Sequence, residues 1–281
     1  MISSKTKVFA LIGDPVEGSL SPPMHNAAFR HLGLDCVYVA LRVPSSMLKE
    51  ALLGVRAMGI GGLNVTFPHK TAILPLLDEL DPSAEEVGAV NTVKNEGGKL
   101  KGFNTDGEGA VRFLRERLGS LKGRRVVLLG AGGAARALAF SLLKEGVELT
   151  LLNRTVSKAE GLASELRKKG GEVKWGGLER AELREALRSA DVLINATPVG
   201  MDQRGGTLVT HELMHPELFV MDLVYHPPET ELMKEAKRAG AKAENGLGML
   251  LYQAALSFRI FTGKRAPLEV MRRALRRGMG S

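Results

Sequence analysis

Val126-Val127-Leu128-Leu129-Gly130-Ala131-Gly132-Gly133-Ala134-Ala135-Arg136 decides how this chain is read. A run of Val and Leu breaks into glycine, then into Ala-rich sequence that favours helix. That order predicts a strand, a tight turn and a helix start. It is a physical recipe for holding a pyrophosphate on backbone N–H groups at a helix N-terminus. Gly130, Ala131, Gly132, Gly133, Ala134 and Ala135 fit the pattern G-x-G-x-x-A. Such a pattern is weak by itself; the strand before it and the helix after it supply the required context.

The next strand sharpens the reading. A site for NAD places Asp or Glu about 20 residues on, where it binds the ribose 2′-hydroxyl. Here the strand over 148–153 ends in Asn153-Arg154-Thr155, with Lys158 close behind, and no carboxylate. A guanidinium, an ammonium and two short polar side chains suit a 2′-phosphate instead. Read alone, Arg154 and Lys158 would be an ordinary exposed loop and helix. At this offset from the glycine turn they predict NADP.

Around this turn, strand and helix signals alternate. Strands are expected over 125–129, 148–153, 172–175, 192–195 and 219–223, with helices over 134–144, 158–169 and 182–189 between them. This half predicts a Rossmann-type unit. The first hundred residues alternate as well. Strands are expected over 7–12, 36–43 and 61–66, helices over 22–32 and 45–58, and a hairpin over 89–94 and 99–103. Ser21 is expected to be the N-cap of the first helix, with Pro22 at its first position. A helix over 106–118 leads into the second half, and helices over 247–261 and 267–277 end the chain. The fold class expected is α/β, with two α/β domains. Residues 1–105 and 247–281 form a substrate-binding domain on a mostly parallel sheet, the C-terminal helices returning to it. Residues 106–246 form the NADP-binding Rossmann domain.

Composition narrows the class of function. The chain has 281 residues, 44% of them hydrophobic. That length buries a large core without a disulfide or metal. Cys36 is the single cysteine, so no intramolecular disulfide can form, and no Cys/His cluster has zinc spacing. The apolar stretch near the start ends at Gly13-Asp14-Pro15, too short for a signal peptide. The expectation is a cytoplasmic protein without a membrane partner. The net charge is +8. Its basic residues are spread along the chain, apart from Arg272-Arg273 and Arg276-Arg277 near a helix end, where cations complement the helix dipole. Only 5% of residues are aromatic, too few for base-stacking platforms, so no nucleic-acid partner is expected.

The first half carries its own chemistry. Asn64-Val65-Thr66-Phe67-Pro68-His69-Lys70 sits where a strand ends, a usual place for ligands in an α/β sheet. Asn91-Thr92 ends another strand-like run, and Asn104-Thr105-Asp106 opens a helix. Alone, Asp106 would be a helix cap and Lys70 a surface lysine. Three Asn–Thr pairings at strand ends suit a polyhydroxylated ligand held by hydrogen bonds. Gly18-Ser19-Leu20-Ser21-Pro22 sets two hydroxyls beside a helix start, where a carboxylate can be held.

Taken together, these motifs resemble the shikimate dehydrogenase family. The set is Ser19-Leu20-Ser21-Pro22, Asn64-Val65-Thr66 with Pro68 and Lys70, Gly88-Ala89-Val90-Asn91-Thr92 and Gly102-Phe103-Asn104-Thr105-Asp106. It continues with the glycine turn, Asn153-Arg154-Thr155, Asn195-Ala196-Thr197-Pro198-Val199-Gly200-Met201 and Asp222-Leu223-Val224-Tyr225. It closes with Gly246-Leu247-Gly248-Met249-Leu250-Leu251-Tyr252-Gln253.

The resemblance implies reversible NADPH-dependent reduction of 3-dehydroshikimate to shikimate. It makes Lys70 and Asp106 the catalytic pair. Ser19 and Ser21 would hold the substrate carboxylate, with Tyr225 close to it, and Asn64, Thr66, Asn91 and Gln253 the ring hydroxyls. Gly130 to Ala135 would hold the pyrophosphate, and Asn153, Arg154, Thr155 and Lys158 the 2′-phosphate. Thr197, Val199, Gly246 and Met249 would lie against the nicotinamide side. The expected partner is the small-molecule substrate, with a homodimer left open. A relative in the family accepts quinate and prefers NAD, usually with an acidic residue after the second strand; its absence here argues against that relative. A non-catalytic NADP-binding regulator would need the glycine turn but not Lys70, Asp106 and the serine pair together.

Overall fold

The computed structural model describes residues 2–201 and 206–279. The chain divides into two compact units, one of residues 1–109 and 250–281, the other of residues 110–249. Each is built on a six-stranded sheet.

In the first unit the elements are β1 (Lys7–Gly13), α1 (Ser21–His31), β2 (Cys36–Arg42), α2 (Leu48–Ala57), β3 (Gly62–Val65), α3 (His69–Ala72), β4 (Glu79–Leu80), α4 (Pro82–Val87), β5 (Thr92–Glu96) and β6 (Lys99–Phe103). The strand order is β2-β1-β3-β5-β6-β4. β1 pairs in parallel with β2 and β3, and β4 with β6, while β5 is antiparallel to both neighbours. Only β5 is therefore reversed. The reason is the tight β5–β6 hairpin, turned by Gly97 (φ 63°) and Gly98 (φ 93°), a conformation open to glycine.

One face of this sheet buries Ala10, Ile12, Leu63, Val65, Val93 and Leu100 against Leu52 and Val55 of α2. Opposite pairs of apolar residues also meet as rings. Phe9 of β1 stacks on Phe261 at 5.0 Å, and Phe29 of α1 lies 5.4 Å from Phe258. The sheet is thus covered by the returning C-terminal segment, which holds most of α10 (Leu247–Thr262) and all of α11 (Leu268–Gly278). α1 packs on α11.

α1 starts one residue earlier than the sequence suggests. Its cap position is Leu20, without a side-chain hydrogen bond, and Ser21 is the first helical residue. Ser21 is not the N-cap. Its backbone N–H donates to Ser19 Oγ at 3.3 Å, so Ser19 supplies the oxygen a cap would have supplied.

α5 (Asp106–Leu118) begins in the first unit and ends in the second. The second unit then contains β7 (Arg125–Leu129), α6 (Gly133–Lys144), β8 (Glu148–Leu152), α7 (Val156–Arg167), β9 (Val173–Gly176), α8 (Arg180–Leu187), β10 (Val192–Asn195), β11 (Phe219–Asp222), α9 (Glu231–Arg238) and β12 (Lys242–Asn245). Its order is β12-β11-β10-β7-β8-β9, parallel throughout. β7 lies at the centre, buried over Val126 to Leu129, which explains its unbroken apolar run. The chain moves from β7 outward to β9 and then crosses to β10 on the other side. That reversal beside β7 is the switch point at which doubly wound folds bind nucleotides.

Short elements escaped the sequence reading. β4 has two residues, and α4 is a six-residue helix capped by Asp81, whose carboxylate accepts the Ser83 N–H at 3.0 Å. Such elements are too brief to show a period.

Candidate active site and nucleotide cradle

In the first unit, strand ends converge on one carboxylate. α3 is short but anchored, because the buried His69 ring meets the Val43 carbonyl at 2.7 Å through Nε2. The Val90 N–H donates to the Lys70 carbonyl at 2.7 Å, tying the approach to β5 to the same turn. Lys70 Nζ then reaches Asp106 Oδ2 at 2.6 Å. The Lys70 side chain is 28% exposed and that of Asp106 only 7%. Lys70 is the partner that solvent and ligand can reach.

Asp106 is held as the first residue of α5. Its N–H donates to Asn104 Oδ1 at 3.0 Å, and its carboxylate sits where a helix N-terminus favours negative charge. Asn91 Nδ2 donates to the second carboxylate oxygen, Oδ1, at 2.8 Å, and to Thr105 Oγ1 at 2.9 Å. Asn91 Oδ1 accepts the Thr105 N–H at 2.8 Å. Gln253 of α10 comes close because α5 is bare at Gly109, where a Cβ would lie 2.7 Å from the Gln253 backbone nitrogen. Its Oε1 is 3.5 Å from Asn91 Nδ2. Lys70, Asp106, Asn91 and Gln253 thus share one place.

Asn64 belongs to the same lattice. Its Nδ2 donates to the Asn91 carbonyl, Thr92 Oγ1 and Ser257 Oγ at 3.1, 3.0 and 2.9 Å. Its Oδ1 accepts the Tyr38 hydroxyl at 2.7 Å. Burial pushes the Tyr38 phenol well above its ordinary range, partly offset by the neighbouring Ser21 hydroxyl. Ser21 is buried and Ser19 half-buried. Thr66 follows β3, its N–H donating to the Ile12 carbonyl at 3.0 Å.

Tyr38 and Ser257 were missed as supports of this site. Ser257 lies four residues after Gln253, one turn on the same helix face, which is a usable signal. Tyr38 lies in an apolar strand, and nothing local marks it.

In the second unit the turn after β7 is open. Gly130 has φ +110°, and its N–H donates to the Leu152 carbonyl at the end of β8 at 2.8 Å. Gly132 occupies the cap position of α6, without a side-chain hydrogen bond and with no acidic residue in the first turn. A Cβ at Gly132 or Gly133 would meet nothing within 4 Å. The first-turn N–H groups are therefore uncapped by a side chain and approachable, as a pyrophosphate requires. Ala131 and Ala134 are partly exposed, while Ala135 is buried against the sheet.

Two loops flank this turn. On one side, after β8, Arg154, Thr155 and Lys158 are exposed, and Asn153 Nδ2 holds the Thr155 carbonyl at 2.9 Å. On the other, after β10, Asn195 Oδ1 accepts Thr197 Oγ1–H at 2.7 Å, and Asn195 Nδ2 donates to the Val199 carbonyl at 3.1 Å. Beneath that loop Asp222 is fully buried. It accepts from Asn195 Nδ2 at 2.9 Å and Thr230 Oγ1 at 2.7 Å, and burial pushes its carboxyl above the ordinary range. Gly246 packs on the end of β11, where a Cβ would lie 2.1 Å from the Leu223 carbonyl oxygen. Tyr225 is half-buried, with its phenol pushed up by burial, and Met249 is 9% exposed.

The second unit presents approachable amides and a basic loop to a dinucleotide; the first presents a lysine steadied by a carboxylate among amides and hydroxyls. That division of labour defines an NADP-dependent oxidoreductase. Comparison with known proteins narrows the class. Residues 11–93 match the shikimate dehydrogenase substrate binding domain, 112–213 the shikimate / quinate 5-dehydrogenase family, and 246–276 the shikimate 5'-dehydrogenase C-terminal domain. The chain is 53% identical to the NADP(+) shikimate dehydrogenase of Methanopyrus kandleri, over 98% of this chain and 96% of that one. A crystal structure of a shikimate dehydrogenase in complex with NADP+ superposes with a TM-score of 0.94 at 49% identity, covering 99% of this chain and 98% of that one. The shikimate 5-dehydrogenase of Thermus thermophilus, in complex with NADP(H) and shikimate, gives 0.88 at 40% identity, covering 97% and 100%. The chain belongs to the shikimate dehydrogenase family.

Proposed function

We propose that this chain catalyses the reversible NADPH-dependent reduction of 3-dehydroshikimate to shikimate, in the shikimate pathway of aromatic amino-acid biosynthesis, with Lys70 and Asp106 as its catalytic pair. The observation that carries the assignment of roles is the 2.6 Å contact between these two side chains inside a lattice of amides and hydroxyls.

When bound, NADPH supplies a hydride to the carbonyl carbon. The chain's task is to meet the charge that develops on the carbonyl oxygen. Lys70 Nζ is the exposed donor for that oxygen and passes it a proton. Asp106 Oδ2 orients Lys70, while Asn91 holds the other oxygen of the carboxylate and so its plane. In the oxidation direction the proton leaves through the same pair.

Binding follows the chemistry of each position. Ser19 and Ser21 receive the carboxylate with Tyr225 as a further contact, and Asn64, Thr66, Asn91 and Gln253 the ring hydroxyls. The amides of Gly130 to Ala135 hold the pyrophosphate; Asn153, Arg154, Thr155 and Lys158 hold the 2′-phosphate. Thr197, Val199, Gly246 and Met249 line the nicotinamide side. A cytoplasmic location belongs to this reading, and sedimentation of the purified protein decides the homodimer that the sequence leaves open.

One assay tests the activity: absorbance at the reduced-nicotinamide band with shikimate or quinate, each with NADP or NAD. Shikimate with NADP is expected to be the best pair. No turnover of that pair would overturn the reading.

A further inference from the structure

The Asn64 carboxamide is pinned at both ends. Its Nδ2 faces the Asn91 carbonyl at 3.1 Å, and a carbonyl only accepts, so nitrogen must be the atom on that side. Thr92 and Ser257 hydroxyls take the same nitrogen at 3.0 and 2.9 Å. At the other end the Tyr38 hydroxyl donates to Oδ1 at 2.7 Å. Both Nδ2 hydrogens and one Oδ1 lone pair are committed, which leaves the second Oδ1 lone pair. Towards a ligand, Asn64 is an acceptor only.

Tyr38 is itself held on three sides. Its backbone carbonyl and N–H bond the Asn26 side chain at 2.7 and 2.9 Å. Its ring stacks on His25, with centroids 4.3 Å apart and planes 5° from parallel. Its one hydroxyl proton goes to Asn64. A buried phenol fixed in this way is a rigid rod between α1 and the Asn64 amide.

We infer that Tyr38 is a positioning residue that locates the Asn64 Oδ1, an acceptor because the Asn91 carbonyl holds the nitrogen at the other end, so that the site takes a non-reacting ring hydroxyl as a donor and rejects a substituent that can only accept. This inference rests on the shikimate dehydrogenase reading above. A polar site built around a hydroxyl discriminates against an analogue without one, because its own buried group is left unpaired.

The test uses shikimate analogues in which each of the two non-reacting ring hydroxyls is replaced in turn by fluorine or by an amino group. Oxidation of shikimate itself by the parent protein with NADP is read first; its failure would sink the functional reading, not the role of Tyr38. In the parent, fluorine at one of the two positions is expected to lower kcat/KM about tenfold, and the amino group, which donates, to be tolerated there. Equal tolerance of fluorine at both positions would overturn the inference without any variant. Tyr38→Phe leaves the nitrogen on the Asn91 carbonyl but releases the oxygen end, so it is expected to raise the KM for shikimate about tenfold with the KM for NADP unchanged, and to shrink the fluorine discrimination because Oδ1 is no longer held in place for the hydroxyl. A folded Tyr38→Phe protein with the parent's discrimination would also overturn it. A merely structural role would lower turnover of every analogue in the same proportion.

Discussion

Lys70 and Asp106 are 36 positions apart in the chain and 2.6 Å apart in space, and the lysine is the more exposed of the two. The carboxylate is steadied by Asn91 and by the start of α5. The arrangement therefore presents one reachable donor on a buried, hydrogen-bonded carboxylate.

Lys70→Ala removes that donor. Turnover should fall by about 10²–10⁴-fold, the range typical of a lost general acid. NADP binding should be unchanged, because the cradle lies on β7 and α6. Steady-state kinetics with nucleotide titration by fluorescence check both. A variant of near-parent kcat would remove Lys70 from the catalytic pair.

Arg154→Ala acts on the coenzyme alone. A charge-assisted contact to phosphate is worth about 1.5–3 kcal/mol, so the KM for NADP should rise about ten- to a hundredfold. At saturation kcat should hold, and the preference for NADP over NAD should fall. An unchanged NADP/NAD ratio would speak against the 2′-phosphate role.

Gly132→Ala separates folding from binding. The backbone there is at φ −83°, which alanine adopts, and the added methyl meets no protein atom within 4 Å. Stability without nucleotide should change by less than about 1 kcal/mol. The KM for NADP should rise sharply, since the methyl would occupy the approach of the pyrophosphate. Thermal melts with and without NADP distinguish the two effects. Parent-like stabilisation by NADP would place the pyrophosphate elsewhere.

His25 gives a pH dependence. The ring is fully buried, neither nitrogen has a hydrogen-bond partner among the described residues, and burial holds its pKa at about 3 against an ordinary 6.5. Between those values the unfolded chain binds a proton that the native chain does not. Stability from this residue is complete above pH 6.5 and is lost as pH falls towards 3, at up to about 1.4 kcal/mol per pH unit. His25→Phe should therefore lose less stability than the parent between about pH 6.5 and about pH 4.5 in urea titrations. Parallel pH profiles for the two proteins would contradict the burial of a neutral imidazole.

Much of this was legible locally. The glycine turn, the strand before it and the basic residues after β8 are short-range patterns, because parallel strands are continuous apolar runs and a dinucleotide site is written into one turn. Asp106 to Leu118 was readable as a helix for the same reason, since its apolar positions recur at helical spacing. Ser21 was misjudged because a serine before a proline is a good cap by local chemistry; its hydroxyl lies instead beside Tyr38, a partner on another element.

Read alone, the sequence carries the two α/β halves, the strand–glycine–helix turn, and the candidate side chains for phosphate binding and acid–base chemistry. Those are properties of adjacent residues. Tertiary structure alone decided which of them meet, and in what polarity. Asn64 and Ser257 are 193 positions apart, and Tyr38 reaches Asn64 across 26. A carboxamide offers donors at one end and acceptors at the other, so its chemistry is undetermined until its neighbours occupy one of them. Only the packed sheet and the returning α10 supply those neighbours.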